Sequence, residues 1–235
     1  MRRPVCRPLM LATIAALQIN LPVAARADDA AANAAKPAES QSYSLGLSFA
    51  TQWREGGLGP GLSEADLIRG IHDGLAGKPL TPDDRARASD FLKAVYESVG
   101  ERNKTAAEAF LAKNRKAKGV ATTASGLQYV VLADGDAAGP AAGPNDRVTV
   151  HYRGELLDGK EFDSSIARGK PAVIRPATVI AGWREALALM HRGAKWRVFV
   201  PPDLGYGSTP PPSIPPNSLL VFEIEVLEIE AARPN

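Results

Sequence analysis

In "SLLVFEIEVLEIE" (residues 218–230), Leu220, Phe222, Ile224 and Val226 alternate with Val221, Glu223 and Glu225. A period of two puts successive side chains on opposite faces, so this is a strand with one apolar face and one largely wet face. Working backward, the same period recurs in "AKWRVFVP" (194–201), "DRVTVHYRGEL" (146–156) and "GLQYVVL" (126–132). One short helical stretch intervenes, "GWREALALM" (182–190), with Trp183, Leu187 and Met190 on one side. Several antiparallel strands packing one face on one short helix give an α+β domain of about 110 residues.

Immediately before that strand stands "YGSTPPPSIPP" (206–216), with five prolines in eleven residues. Composition alone reads as a linker or polyproline segment. Its position between two strand patterns near the end of a folded domain argues against that and leaves the rim of a binding site open. Prolines there limit the loop's conformational entropy.

Upstream the period is helical. Leu45, Phe49 and Trp53 share a face, with Tyr43 and Leu47 nearby, until "EGGLGPGL" (55–62) breaks the pattern. Those glycines lack G-x-G-x-x-G spacing and follow no strand, so they form no phosphate loop. Ser63 and Asp66 suit the start of a second helix, striped by Leu67, Ile68, Ile71 and Leu75 and ended by Gly77. Thr81-Pro82 starts a third, with Asp83 and Asp84 at its positive end. Its stripe runs through Ala88, Phe91, Leu92, Val95 and Val99, then more thinly to Phe110 and Leu111. The polar residues 101–118 read as a solvated helical arm, with a disordered linker as the alternative. Tyr43, Phe49, Trp53, Phe91 and Tyr96 are too few large side chains for a stand-alone core, and a second copy of the chain is expected to complete these faces.

The 235 residues are 45% apolar and 23% charged, as in a soluble globular protein. Residues 1–27 follow signal-peptide grammar: Arg2, Arg3 and Arg7, a short apolar run, then Ala25-Arg26-Ala27 before the acidic pair Asp28-Asp29. Cleavage after Ala27 removes four of the 28 basic residues and none of the 26 acids, leaving 24 against 26 and a net charge of −2. That balance carries no nucleic-acid footprint. Cleavage also removes Cys6, the one cysteine, and with it any disulfide or thiol chemistry. An exported, cysteine-free chain suits a bacterial periplasm, with outer-membrane association or secretion as alternatives. Residues 28–42 are an Ala-rich, polar lead-in, expected to be flexible.

His72, His151 and His191 are far apart and lack carboxylates at ligand spacing, so no metal site is expected. No serine sits in a G-x-S-x-G elbow. What remains is a set of aromatic residues beside turns: Tyr152, Phe162 next to Asp163, Trp183 after Gly182, Tyr206 before Gly207, and Phe222.

Three segments, "VTVHYRGELLDGKEFDSS" (148–165), "VIAGWREAL" (179–187) and "DLGYGS…IPPNSLLVFEIEVLEI" (203–229), resemble in order and spacing the signatures of FKBP-type peptidyl-prolyl cis–trans isomerases. The resemblance covers residues 119–230. "SYSLGLSFA" (42–50) and "GIHDGLAG" (70–77) are similar to the dimerisation domain of the macrophage infectivity potentiator-like branch of that family. The resemblance implies an antiparallel sheet curved around one short helix, preceded by an all-α N-terminal domain with a long connecting helix. The implied division is a signal peptide 1–27, a lead-in 28–42, a helical dimerisation domain and connecting helix 43–118, and an isomerase domain 119–235.

By position, the resemblance makes Trp183 the floor of a prolyl pocket lined by Tyr152, Phe162, Val179, Ile180, Ile214 and Phe222. Asp163 and Tyr206 become the polar groups facing the substrate backbone, the Ile180 N–H a donor to a bound carbonyl, and Arg168 the support of Asp163. Ala172 stands where many eukaryotic members carry an aromatic residue, so that wall is expected to be more open. The loop after Tyr206 is a residue shorter and richer in proline than theirs. The implied activity is X–Pro isomerisation of exported polypeptides during folding. It needs no cofactor or metal, and its partners are unfolded or partly folded proline-containing chains, a second copy of the protein and tacrolimus-type ligands. A periplasmic chaperone with secondary isomerase activity is the second reading, and a surface factor binding a host protein a third.

Overall fold

Strand β7 (Leu220–Glu230) lies inside the sheet, flanked on both sides. It pairs antiparallel with β3 (Arg147–Leu156) on one edge and β6 (Lys195–Val200) on the other. Beyond β6 lie β2 (Gln128–Ala133) and β1 (Val120–Thr122). On the free edge of β3, β4 (Glu161–Ser164) pairs with residues 153–155 and β5 (Ala172–Ile174) with residues 148–150. All pairings are antiparallel, in the order β1-β2-β6-β7-β3-β4. The computed structural model describes residues 40–57 and 61–232. The residues 1–27 expected to be a signal peptide, and 28–39 of the lead-in, lie outside them.

The alternation in β7 is realised as expected: Leu220, Phe222, Ile224 and Val226 are buried. They meet Val148, Val150, Val198 and Val200 and the inner side of α4 (Ala181–Leu187), from which Trp183, Ala186, Leu187 and, just beyond its end, Met190 project. Burying each large aliphatic or aromatic side chain contributes about 1.5–3 kcal/mol relative to exposure. The α+β architecture expected from the sequence is the one found.

Among the described residues three helices precede the sheet: α1 (Gln41–Glu55), α2 (Glu64–Leu75) and α3 (Pro82–Asn114). Ser63 Oγ accepts the Asp66 N–H at the start of α2. Thr81 and Asp84 satisfy each other's backbone N–H in a capping box on α3. Hydrogen bonds from the Thr81 side chain, then from Arg87, hold the Asp84 carboxyl down to about 2. The chain parts into two compact units between Phe49 and Ala50.

One expectation is corrected within the second unit. Residues 101–114 are helical, as the thin stripe to Phe110 and Leu111 implied, and continue α3, but they are not solvated all round: the inner side lies on the outer face of the sheet. Ala107 is 1% exposed and packs with Phe199 and Leu219, joined by Phe110, Leu111, Val130 and Val221. The Phe110 and Phe199 rings stand 5.5 Å apart. Gln128, buried in β2, donates to the Leu111 carbonyl at 2.9 Å and accepts from Asn114 Nδ2 at 3.0 Å, so its amide is satisfied. Val221 therefore belongs to a covered patch on the face that alternation assigned to water.

The outer sides of α1 and α2 remain apolar and open. Neither helix has a buried residue, and Leu75 is 86% exposed. Among the described residues no helix is long and apolar enough to cross a membrane.

Candidate active site

Gly154 fixes the layout of the aromatic residues. It lies in β3 opposite Phe222 of β7 and Asp163 of β4. A Cβ there would stand 2.8 Å from atoms of both Phe162 and Phe222, so only glycine lets the two rings close over the strand. They meet edge to face, centroids 5.6 Å apart and planes at 87°. Trp183 projects from α4 against the other side of Phe222 at 5.2 Å and 89°. Tyr152 meets Trp183 at 5.1 Å and 89°. Edge-to-face geometry places the positive ring edge on the negative face, a favourable arrangement beyond area burial.

Trp183 reaches this position because α4 approaches β6 closely. A Cβ on Gly182 would lie 2.6 Å from Val200 Cγ1. The Trp183 indole N–H is buried and has no acceptor among the described residues. Val179 and Ile180, the latter at the N-cap of α4, pack against the same cluster, and Ile214 is buried in it. Ala172, at the start of β5, adds only a methyl group to the neighbouring edge.

Polar groups border this box on one side. Tyr152 Oη donates to Asp163 Oδ2 at 2.5 Å, Arg168 Nη2 donates to Tyr152 Oη at 2.8 Å, and Arg168 Nη1 pairs with Asp163 Oδ1. The guanidinium also lies over the Tyr152 ring, 5.4 Å from its centroid. Burial pulls the Asp163 carboxyl upward, but the hydrogen bonds from Tyr152 and Arg168 and the arginine charge outweigh it, and its pKa is lowered. Burial, then the bond to Asp163, raises the Tyr152 phenol. Burial and the Asp163 charge likewise raise Tyr206, which is 38% exposed at the rim.

The sequence-predicted residues thus come from β3, β4, α4, β7 and three loops onto one place. Sequence reasoning missed the residues that hold them there. Gly154 and Gly182 permit the close approaches. Ser165, fully buried, accepts the Tyr152 N–H at 2.8 Å, and its Oγ lies 3.1 Å from His151 Nδ1. The paired serines after Phe162-Asp163 were the available signal, but their burial depends on how the chain turns after β4.

Residues 139–227 match the family model described as FKBP-type peptidyl-prolyl cis-trans isomerase, and residues 38–131 the model for the domain amino terminal to it. The FKBP-type 22 kDa peptidyl-prolyl cis-trans isomerase of Escherichia coli K12 is 44% identical, the match covering 80% of this chain and 93% of that one. The chain belongs to the FKBP-type peptidyl-prolyl cis–trans isomerase family. FkpA of Aeromonas hydrophila is 36% identical over 93% of this chain and 90% of its own. Outer membrane protein MIP of Legionella longbeachae is 37% identical over 81% and 85%. The crystal structure of FkpA from Escherichia coli superposes with a TM-score of 0.64 at 35% identity, covering 84% of this chain and 99% of that chain. This FKBP-type chain thus matches its two-part relatives across both its helical and its sheet-containing regions.

Among the described residues there is no group of three or more His, Cys, Asp or Glu side chains that could hold a metal ion.

Proposed function

We propose that the aromatic box around Trp183 isomerises X–Pro bonds in exported polypeptides. The observation that carries this reading is the orthogonal stacking of Tyr152, Trp183, Phe222 and Phe162 beside the Asp163–Tyr152–Arg168 cluster. Rotating an amide makes and breaks no covalent bond, and its barrier of about 18–20 kcal/mol comes from lost resonance. The planar amide is dipolar and well solvated by water; the twisted one has lost that polarity. An apolar box lined by Tyr152, Phe162, Val179, Ile180, Ile214 and Phe222 over Trp183 therefore favours the twisted form over the planar one. That difference lowers the barrier, whereas equal binding of both would not.

Asp163 and Tyr206 face the substrate backbone and hold one side of the bond while the other turns. The Ile180 N–H takes a substrate carbonyl, and Arg168 fixes Asp163. The chain functions as a homodimer through its N-terminal helices, with the isomerase domain at 119–235 and the helical part at 43–118. Residues 1–27 direct export and are removed from the mature chain. Support comes from the exposed apolar sides of α1 and α2 and from a relative named as an outer membrane protein. The relatives' names favour an isomerase over a chaperone whose isomerase activity is secondary.

The test is a protease-coupled isomerisation assay on a short X–Pro peptide with the mature chain. Asp163→Leu is expected to lower kcat/KM by about tenfold, the equivalent of ~1.4 kcal/mol of lost positioning, and Tyr206→Phe by less. A wild-type chain without activity would remove the reading.

A further inference from the structure

A groove runs from the edge of the aromatic box to α3, walled by the proline-rich loop 210–216 on one side and residues 156–162 on the other. Gln52 and Glu55, at the end of α1, and Tyr96 and Val99 of α3 form its far wall. Its volume is about 850 Å³, near the upper end of the roughly 300–1,000 Å³ of ligand sites. Phe162 and Ile214 belong both to this groove and to the aromatic box, so the groove adjoins the box at these two side chains.

The loop wall is held rigidly by α3. Tyr96 Oη donates to the Ser208 carbonyl at 3.1 Å, and Asn103 Nδ2 to the Pro216 carbonyl at 2.8 Å. Between them the approach is close: a Cβ on Gly100 would lie 3.1 Å from Asn217 Nδ2. Prolines fix φ and carry no N–H, so this wall is preorganised and offers acceptors but few donors. That suits an extended chain, which brings N–H donors of its own.

The charge along the groove is acidic. Glu55, Asp158 and Glu161 face it against Lys160. Lys160 pairs with Glu55 at 3.1 Å and Glu161 with Arg153 at 2.9 Å. Asp158 Oδ1 accepts the Lys160 backbone N–H at 3.0 Å and its carboxylate pairs with no cation among the described residues.

We propose that this groove is a second subsite of the isomerase, taking the extended stretch of substrate polypeptide that flanks the isomerised proline, with a basic side chain beside Asp158. It rests on the isomerase reading above, and its occupant is the same chain whose proline enters the aromatic box. The groove adjoins the box at Phe162 and Ile214, so a polypeptide leaving the box in this direction lies along it and no separate partner is needed.

The experiment compares two synthetic peptides with one X–Pro core, using the mature full chain. One is a tetrapeptide; the other is extended by several residues on either side, with lysine moved through successive positions. The extended peptides are expected to show a lower KM at an unchanged kcat. Lysine at one position adds about two- to fivefold, the size of a solvent-edge ion pair, and this part fades with added salt. Asp158→Asn, which keeps the turn-capping oxygen, abolishes the lysine preference. Gln52→Trp, at an exposed helical position, obstructs the groove and brings the extended peptide's KM up to that of the tetrapeptide. Both variants leave tetrapeptide turnover unchanged. An extension that gives no gain, or a gain that survives both variants, overturns the subsite. Failure of the wild type on the tetrapeptide would instead overturn the isomerase reading, so the two failures are distinguishable.

Discussion

Asp163 accepts hydrogen bonds from Tyr152 and from Arg168, which is also its counter-charge, and this fixes how the site responds to pH. Its folded pKa lies below the ordinary value. The contribution of its ionised form to stability is therefore fully present above its unfolded pKa of about 3.9. It is lost as pH falls through the lower folded value. Tyr152 and Tyr206 are shifted the other way, so both keep their protons above the usual phenol range. We expect kcat/KM to be flat from about pH 5 to pH 9, with any acid loss setting in below the carboxylate range. A pH–rate profile checks this. A limb centred near neutral pH would overturn it. The aromatic and acidic members of the site were visible in sequence because each sits in a motif beside a turn. Ser165 was not, because a serine's burial is a property of its neighbours in space.

At the scale of the elements, two glycines decide how closely β3, β7 and α4 approach. Gly154→Ala forces Phe162 and Phe222 apart, and overpacking of this kind costs about 1–3 kcal/mol. We expect a lower melting temperature together with a larger fall in kcat/KM than Gly182→Ala gives. Gly182→Ala collides with Val200 and Leu127, beneath the site rather than within it. Thermal unfolding and the peptide assay, run on both variants, separate the two effects. The long strands were legible from their period. β1, β4 and β5, with three, four and three residues, were not, because so short a run shows no period of its own. β4 and β5 exist through pairing with the free edge of β3. The second half of α3 was legible as a helix but read as solvated, because the thin stripe of Phe110 and Leu111, with Ala107 beside it, does not say what covers it. Its partners, Val130 and Val221, lie on the sheet face that alternation alone gives to water.

For the whole molecule, the exposed apolar sides of the N-terminal helices set the expected assembly. Ile68 and Ile71 are 58% and 48% exposed on one side of α2, and an apolar hollow between α2 and α3 is lined by Leu67, Ile71, Leu80 and Phe91. Surfaces of this kind are usually completed by a partner, and a second copy of the chain is the proposed one. Sedimentation equilibrium of the mature protein should give twice the chain mass. Ile68→Asp with Ile71→Asp should give the monomer while leaving tetrapeptide turnover intact, since both residues are remote in sequence and element from the aromatic box. A wild-type monomer would rule out the dimer.

The sequence by itself determined the strand periods, the helix caps at Ser63 and Thr81, and the aromatic and acidic residues of the site. Each of these is written in local spacing and in the chemistry of single residues. Only the tertiary structure decided that the second half of α3 lies against the sheet, that Gly154 and Gly182 set the site's dimensions, and that the proline loop is tied to α3. Those outcomes depend on distances between residues far apart in the chain, such as the 2.8 Å bond from Asn103 to Pro216. No local pattern encodes such a distance; packing the two elements together creates it.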